Sequence, residues 1–309
     1  MNYKYLTTLL YVAAIAGCSS WRMAMHKAFP SPAAARLATA EPAEHHAEPP
    51  AEGDDHSRIH DLEQAAQDLI GRGMTRPAGD LIKQLRRRQC TIQLPAPSDR
   101  KMTPSEIYDR YKPSVLIVAG IYKCEKCGRD HAGPAGGFLI TADGAFVTNY
   151  HVVNNPKNRT LVAMTDEGKV FPVKEVLAAG KEDDVAILRL DAADAVFKPA
   201  VLSTEAPVGA HVSVISHPDR RFYTLTDGIV SRYSTSTVGG KKTSVMMITA
   251  DFARGSSGGP VFNDCGAVVG YVGSTVSVYY NVDKGRKDNL QMVFKQCIPT
   301  GNVLKLIKR

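Results

Sequence analysis

The sequence predicts an all-β fold, a barrel or sandwich of short strands, preceded by a short helical extension. From Ser105 onward, runs rich in β-branched and aromatic residues recur: Val115–Ala119, Gly137–Thr141, Phe146–Asn149, Leu161–Met164, Val185–Leu190, His211–Ile215, Val245–Ala250 and Ala267–Val272. Gly, Pro, Asn and Asp punctuate them, as turns do in barrels and sandwiches. Helical spacing appears instead between Arg58 and Arg88, through Ile59, Leu62, Ala66, Leu69 and Ile70, then Leu81, Ile82 and Leu85. Gly71, Gly73 and Pro77 divide this stretch into two short amphipathic helices.

The chain has 309 residues, enough for about two folding units of roughly 150. With 44% hydrophobic and 22% charged residues, collagen-like and wholly disordered chains are excluded. No run after the N-terminus approaches the roughly 20 apolar residues of a spanning helix, so a multi-span membrane protein is excluded as well. The formal charge of +7 is too small a surplus to indicate a nucleic-acid partner, and none is expected.

Residues 1–17 join Lys4 to an apolar run from Leu6 to Ala16, the proportions of a secretory signal. Ile15-Ala16-Gly17-Cys18 resembles the bacterial lipoprotein signal, which implies export, lipidation of Cys18 and a membrane anchor without a spanning segment. The alternative is an ordinary cut after Ala16 with Cys18 incidental. Residues 18–57 are rich in Ala, Pro, Glu and His and poor in large apolar side chains, which predicts a disordered tether. The histidines in and just after it, His45, His46, His56 and His60, read as solvated side chains rather than metal ligands. Residues 58–104 form the helical extension and connector, in which Arg86, Arg87 and Arg88 read as a solvated, dipole-complementing helix end.

Within the β-rich region, Gly255-Ser256-Ser257-Gly258-Gly259-Pro260 places glycines on both sides of a serine. They admit backbone conformations closed to other residues and allow an extended chain to approach closely. A serine hydroxyl attacks well only if a base takes its proton, and the base needs an orienting carboxylate. His151, at the end of a strand in Thr148-Asn149-Tyr150-His151-Val152-Val153, and Asp184, opening the run Val185–Leu188, supply both residue types. The chain order His, Asp, Ser is that of chymotrypsin-type enzymes.

Five blocks now carry a family resemblance: Ala135–Ile140, Thr148–Val153, Asp183–Leu188, Thr226–Ser231 and Gly255–Pro260. In order and approximate spacing they are similar to those of the Deg-type (high-temperature-requirement) serine peptidases, and the resemblance covers residues 105–309. It implies a chymotrypsin-like double β-barrel of six strands each, with His151 and Asp184 on the first barrel and Ser257 on the second. It further implies that Ser257 is the nucleophile, His151 the general base and Asp184 its orienter, Asp183 matching the motif less well. The backbone N–H groups of Gly255 and Ser257 would form the oxyanion hole, and Tyr271-Val272-Gly273 would offer a backbone edge to an extended peptide.

Ser256 stands where digestive trypsins have an Asp that pairs with a newly cut N-terminus, so activation by that ion pair is excluded. Asp251 lies six residues before Ser257, the spacing of the carboxylate that receives Lys or Arg in trypsin-like specificity pockets, which makes it a candidate substrate-binding residue. The alternative is a loop-bracing Asp, and Deg-type enzymes generally favour small aliphatic residues. The chain ends at Arg309, leaving no room for the PDZ domain that many family members append. His217, before Pro218, reads as part of a structural turn.

Cys90, Cys124, Cys127, Cys265 and Cys297 are an odd number in an exported chain. A disulfide within the set Cys90, Cys124 and Cys127 is the favoured expectation. Cys124-Glu125-Lys126-Cys127 with His131 nearby leaves zinc as the alternative, for which Cys90 is the obvious fourth ligand. No cofactor or metal is assigned. The expectation is therefore a secreted, lipid-anchored serine endopeptidase acting on polypeptides, able to form homo-oligomers as relatives do. The alternative is an inactive peptide-binding or chaperone-like protein of the same fold.

Overall fold

Val115-Leu116-Ile117-Val118-Ala119 is apolar at every position because both faces of its strand are buried. Leu116 and Val118 join one core with Phe146, Leu161 and Leu188. Val115, Ile117 and Ala119 point the other way, into a second core shared with Leu62, Ile187, Phe262 and Tyr271. A strand's two-residue side-chain period thus places alternate residues in different cores.

The computed structural model describes residues 54–283 and 285–308. The signal, Cys18 and nearly all of the tether lie outside them. In chain order the helices are α1 (Asp55–Gly71), α2 (Ala78–Gln84), α3 (Pro104–Tyr111), α4 (Tyr150–Val153) and α5 (Thr300–Leu304). The strands are β1 (Cys90–Thr91), β2 (Val115–Lys123), β3 (Asp130–Leu139), β4 (Ala145–Thr148), β5 (Asn158–Met164), β6 (Val170–Gly180), β7 (Val185–Leu190) and β8 (Val201–Leu202). They continue with β9 (His211–Ser216), β10 (Thr224–Val238), β11 (Lys241–Ile248), β12 (Pro260–Asn263), β13 (Ala267–Asp283), β14 (Arg286–Pro299) and β15 (Ile307–Lys308). No helix of the described residues is long and apolar enough to cross a membrane.

The first barrel closes in the order β2-β3-β4-β7-β6-β5. The second sheet runs β12-β9-β10-β11-β14-β13-β8, and an added β12–β13 pairing closes six of its strands, leaving β8 as a seventh on β13. The all-β, double-barrel expectation is met.

The helical extension packs on the first barrel. α1 begins at Asp55 rather than at Arg58, because the Asp54 carboxylate accepts from His56 N at 3.1 Å and caps the helix start. Its Leu62 and Ala66 are fully buried. The Asp55 carboxylate accepts from Phe222 N at 3.1 Å, so α1 also touches the loop between β9 and β10. Arg87 and Arg88 are not a free helix end: Arg87 Nη1 donates to Val176 O at 2.6 Å and to Glu175 at 2.7 Å, and Arg88 Nη1 donates to Ala179 O at 3.0 Å. Carbonyls of β6 that lack a strand partner take these guanidiniums instead.

Candidate active site

His151 enters the site on the single turn α4, which starts as soon as β4 ends. Asp184 precedes β7 with φ +52, a left-handed conformation that Asp tolerates better than most residues. The two meet because β4 and β7 are hydrogen-bonded neighbours, Thr148 opposite Ala186. His151 Nδ1–H donates to Asp184 Oδ2 at 2.8 Å, and His151 N–H donates to Asp184 Oδ1 at 3.0 Å. Asn149 Nδ2 donates to Asp184 Oδ2 at 2.9 Å, so the carboxylate is held from three directions. Asp183 lines the same cavity as His151 and Asp184 but accepts from Thr243 Oγ1 instead.

Ser257 arrives from the second barrel. Gly136 N–H donates to Ser257 O at 2.6 Å, and Thr148 Oγ1 donates to Gly136 O at 2.8 Å, which ties the serine loop to β3 and β4. Gly258 has φ +85, and a Cβ there would lie 2.1 Å from Gly136 O, so only glycine lets the barrels approach this closely. Gly255 has φ +95 and would press a Cβ to 2.7 Å from His217 O. Buried Ser256 accepts from Ser216 Oγ at 3.1 Å. The backbone N–H groups of Gly255 and Ser257 donate to no acceptor among the described residues, whereas those of Ser256, Gly258 and Gly259 all do.

Gly273 is the common neighbour of the two halves. Ser257 Oγ donates to Gly273 O at 3.5 Å, and Gly273 and His151 line one cavity of about 220 Å³ with Asp184, Val245, Gln296 and Ile298. The hydroxyl therefore rests on a backbone carbonyl and makes no direct hydrogen bond to the imidazole. Rotation of the Ser257 side chain redirects the hydroxyl.

The remaining residues divide. Val272 N–H donates to Gly259 O at 2.8 Å and Val272 O accepts from Gly258 N–H at 2.9 Å, so the backbone of Val272 braces the serine loop rather than offering a free edge. Tyr271 is fully buried, and its hydroxyl donates to Asp184 O at 3.3 Å. Asp251 is not brought to the cavity. Its side chain is 83% exposed and ion-paired with Lys295 at 3.0 Å, so its cationic partner comes from within the chain. His217 is fully buried and neutral: Nε2–H donates to Leu116 O at 3.2 Å, Nδ1 accepts from Tyr223 N at 3.1 Å, and burial pushes its pKa down to about 4.

Two contributors had no place in the sequence reading, the Asn149 amide and the Tyr271 hydroxyl. Asn149 lies in the same motif as His151, so its spacing was the available signal. Tyr271 was singled out for its backbone, and nothing local marks its side chain's reach to Asp184.

The expected disulfide is not formed, and all five described cysteines are free. Cys90 lies on β1, paired with β15 and packed on the first-barrel core, while Cys124 and Cys127 sit in the turn between β2 and β3.

A serine on a glycine-rich loop of the second barrel, a histidine–aspartate pair on the first and two amides with no acceptor among the described residues fit the trypsin-like class, and residues 135–270 match the trypsin-like peptidase domain family. Within that class the domain is similar to Deg/HtrA-type proteases. It is similar to the chloroplastic protease Do-like 1 of Arabidopsis thaliana, 31% identical over 45% of this chain and 32% of that protein. It is also similar to a probable periplasmic DegP-like serine endoprotease of Pseudomonas fluorescens, 30% identical over 46% of this chain and 29% of that protein. The chain thus matches about a third of the length of these curated relatives. The fold matches the solved HtrA-type protease AlgW with tripeptide at TM-score 0.51 and 18% identity, over 66% of this chain and 62% of that one.

Proposed function

We propose that this chain is an exported serine endopeptidase that hydrolyses polypeptides through an acyl-enzyme on Ser257, without a cofactor. The observation that carries the reading is the double hold of Asp184 on His151, at Nδ1 and at the backbone N–H, beside a serine loop in which the Gly255 and Ser257 amides have no acceptor among the described residues. With Nδ1–H committed to Asp184, Nε2 is the unprotonated, basic nitrogen. Ser257 Oγ attacks the scissile carbonyl carbon and its proton passes to His151 Nε2. The carbonyl oxygen takes the negative charge between the N–H groups of Gly255 and Ser257, each such donor being worth about 2.7–4 kcal/mol in the transition state. The tetrahedral intermediate collapses as His151 returns the proton to the leaving amine. Water then attacks the ester, His151 takes its proton, and the same residue reprotonates Ser257.

Substrate enters as an extended strand beside Gly273, whose carbonyl gives up the Ser257 hydroxyl on binding. The relative described as periplasmic supports an envelope location, where lipidated Cys18 and the tether that precedes α1 would hold the domain at a membrane surface. Self-association, which the family resemblance implies, completes the reading. Mass spectrometry of fragments from a denatured protein substrate tests it: the mature chain yields defined internal cuts and Ser257→Ala none. Equal cutting by both would remove Ser257 from the chemistry, and no cutting by either would favour a peptide-binding protein of this fold.

A further inference from the structure

The turn joining β2 to β3 gathers three metal-binding side chains that the proposed chemistry does not use. Cys124 N–H donates to Arg129 O at 2.8 Å and Gly128 N–H to Cys124 O at 2.9 Å, closing a tight loop that Gly128 completes at φ +67. This loop turns both sulfurs of Cys124-Glu125-Lys126-Cys127 to one side. The strand register then sets His131 opposite Tyr122, one position inside the loop's base, and Cys127 Sγ lies 3.1 Å from His131 Nε2. The ligand atoms of Cys124, Cys127 and His131 all lie within 4.8 Å of one another, the spread that a single ion with metal–sulfur bonds of about 2.3 Å would draw together.

A second element completes the arrangement. Glu63, on α1, accepts from Ala132 N–H at 2.9 Å, and the same carboxylate oxygen lies 3.4 Å from His131 Nδ1. A carboxylate on one ring nitrogen of a metal-binding histidine fixes its tautomer and aims the other nitrogen at the ion. Here it would leave Nε2 free to bind, on the side where the sulfurs lie. His60, Glu63, Gln64 and Arg129 border an open cavity of about 580 Å³ alongside, so water can reach the cluster.

We propose that Cys124, Cys127 and His131 form a zinc-ion site at the tip of the β2–β3 hairpin, oriented by Glu63 and with its fourth position open to water. Binding deprotonates the two thiols, both protons passing to solvent, and leaves the ion's positive charge balanced by two thiolates. Soft thiolates with an imidazole favour zinc over calcium or magnesium, which take oxygen ligands. Zinc then fastens the hairpin tip against α1 through Glu63 and holds the helical extension on the first barrel.

The test uses the reduced full chain, freed of metal by a chelator and then titrated with zinc chloride or cobalt chloride. One ion per chain and intense thiolate-to-cobalt absorption are expected. The Cys124→Ser/Cys127→Ser double variant should lose both, and Glu63→Gln should bind about 10–100-fold more weakly while keeping the spectrum. If the double variant does not fold, His131→Asn, which keeps the hairpin cysteines, carries the comparison and should bind zinc much more weakly. No binding by the folded, reduced chain would overturn the proposal, as would undiminished zinc affinity in His131→Asn. So would a chain purified from its export compartment with Cys124 and Cys127 oxidised to each other, two hydrogen masses lighter.

Discussion

The Tyr271 hydroxyl, on β13 of the second barrel, donates to the backbone carbonyl of Asp184 at the head of β7 in the first, at 3.3 Å. The carbonyl also accepts from Tyr150 N–H at 3.1 Å, one residue before His151, so one oxygen links both barrels to the turn that carries the imidazole. Tyr271→Phe removes the inter-barrel bond but leaves the Tyr150 bond. A stability loss of about 1 kcal/mol is expected in denaturant melts. A severalfold drop in kcat/KM should accompany it, since the turn is released from one side. Unchanged kinetics would reduce Tyr271 to a packing residue.

Adjacent carboxylates give a sharp contrast. Asp184 holds His151, while Asp183 serves Thr243. Asp184→Asn should lower kcat by about 10⁴, the scale found when a triad carboxylate can no longer fix the imidazole's tautomer. Asp183→Asn should change kcat less than about tenfold and show itself in stability instead. Single-turnover hydrolysis of an activated ester separates the two, and equal losses would contradict the assignment.

Buried His217 gives the fold an acid limb. Its folded-state pKa is about 4 against an ordinary 6.5, because burial disfavours the cation, and nearby Arg58 adds to the effect. The unfolded chain therefore binds the proton first as pH falls. Stability from this group is complete above about pH 6.5 and is lost progressively toward pH 4, by an amount approaching about 3 kcal/mol. Gln can keep one donor and one acceptor without a titrating nitrogen. Melts of His217→Gln from pH 7 to pH 4 should show a flatter acid limb than the parent, and parallel limbs would exclude this histidine as the cause.

Asp251 has its own cation. Because Lys295 holds the carboxylate at 3.0 Å on an exposed side chain, fluorogenic peptides with Arg before the cut should be hydrolysed no faster than matched Val peptides. Asp251→Asn should leave that ratio unchanged within about twofold, as surface ion pairs contribute little. A strong Arg preference abolished by the substitution would return Asp251 to the substrate pocket.

What the sequence made legible was local. His151, Asp184 and Ser257 stand in short motifs whose turns dictate their own geometry, and the strands around them are continuous apolar runs. β6 was harder to see because Pro172, Lys174 and Glu175 interrupt its apolar pattern, although it pairs with β5 and β7. β13 and β14 extend well beyond the core as a two-stranded hairpin, where Val276, Tyr280, Leu290 and Met292 are exposed and burial no longer marks the strand. Asp251 shows the converse limit. Its spacing from Ser257 was correct for a pocket carboxylate, but spacing carries no information about a lysine on a neighbouring strand. The roles of Asn149 and Tyr271 were hidden for the same reason, since each acts through a partner distant in sequence.

The most direct measurement is labelling of the folded, mature chain with a fluorophosphonate, followed by peptide mapping. The phosphonyl group should be found on Ser257 alone, with labelling strongly slowed in His151→Ala and absent in Ser257→Ala. A folded wild-type chain left unlabelled, or labelled at another serine, would contradict the assignment of Ser257 as the nucleophile.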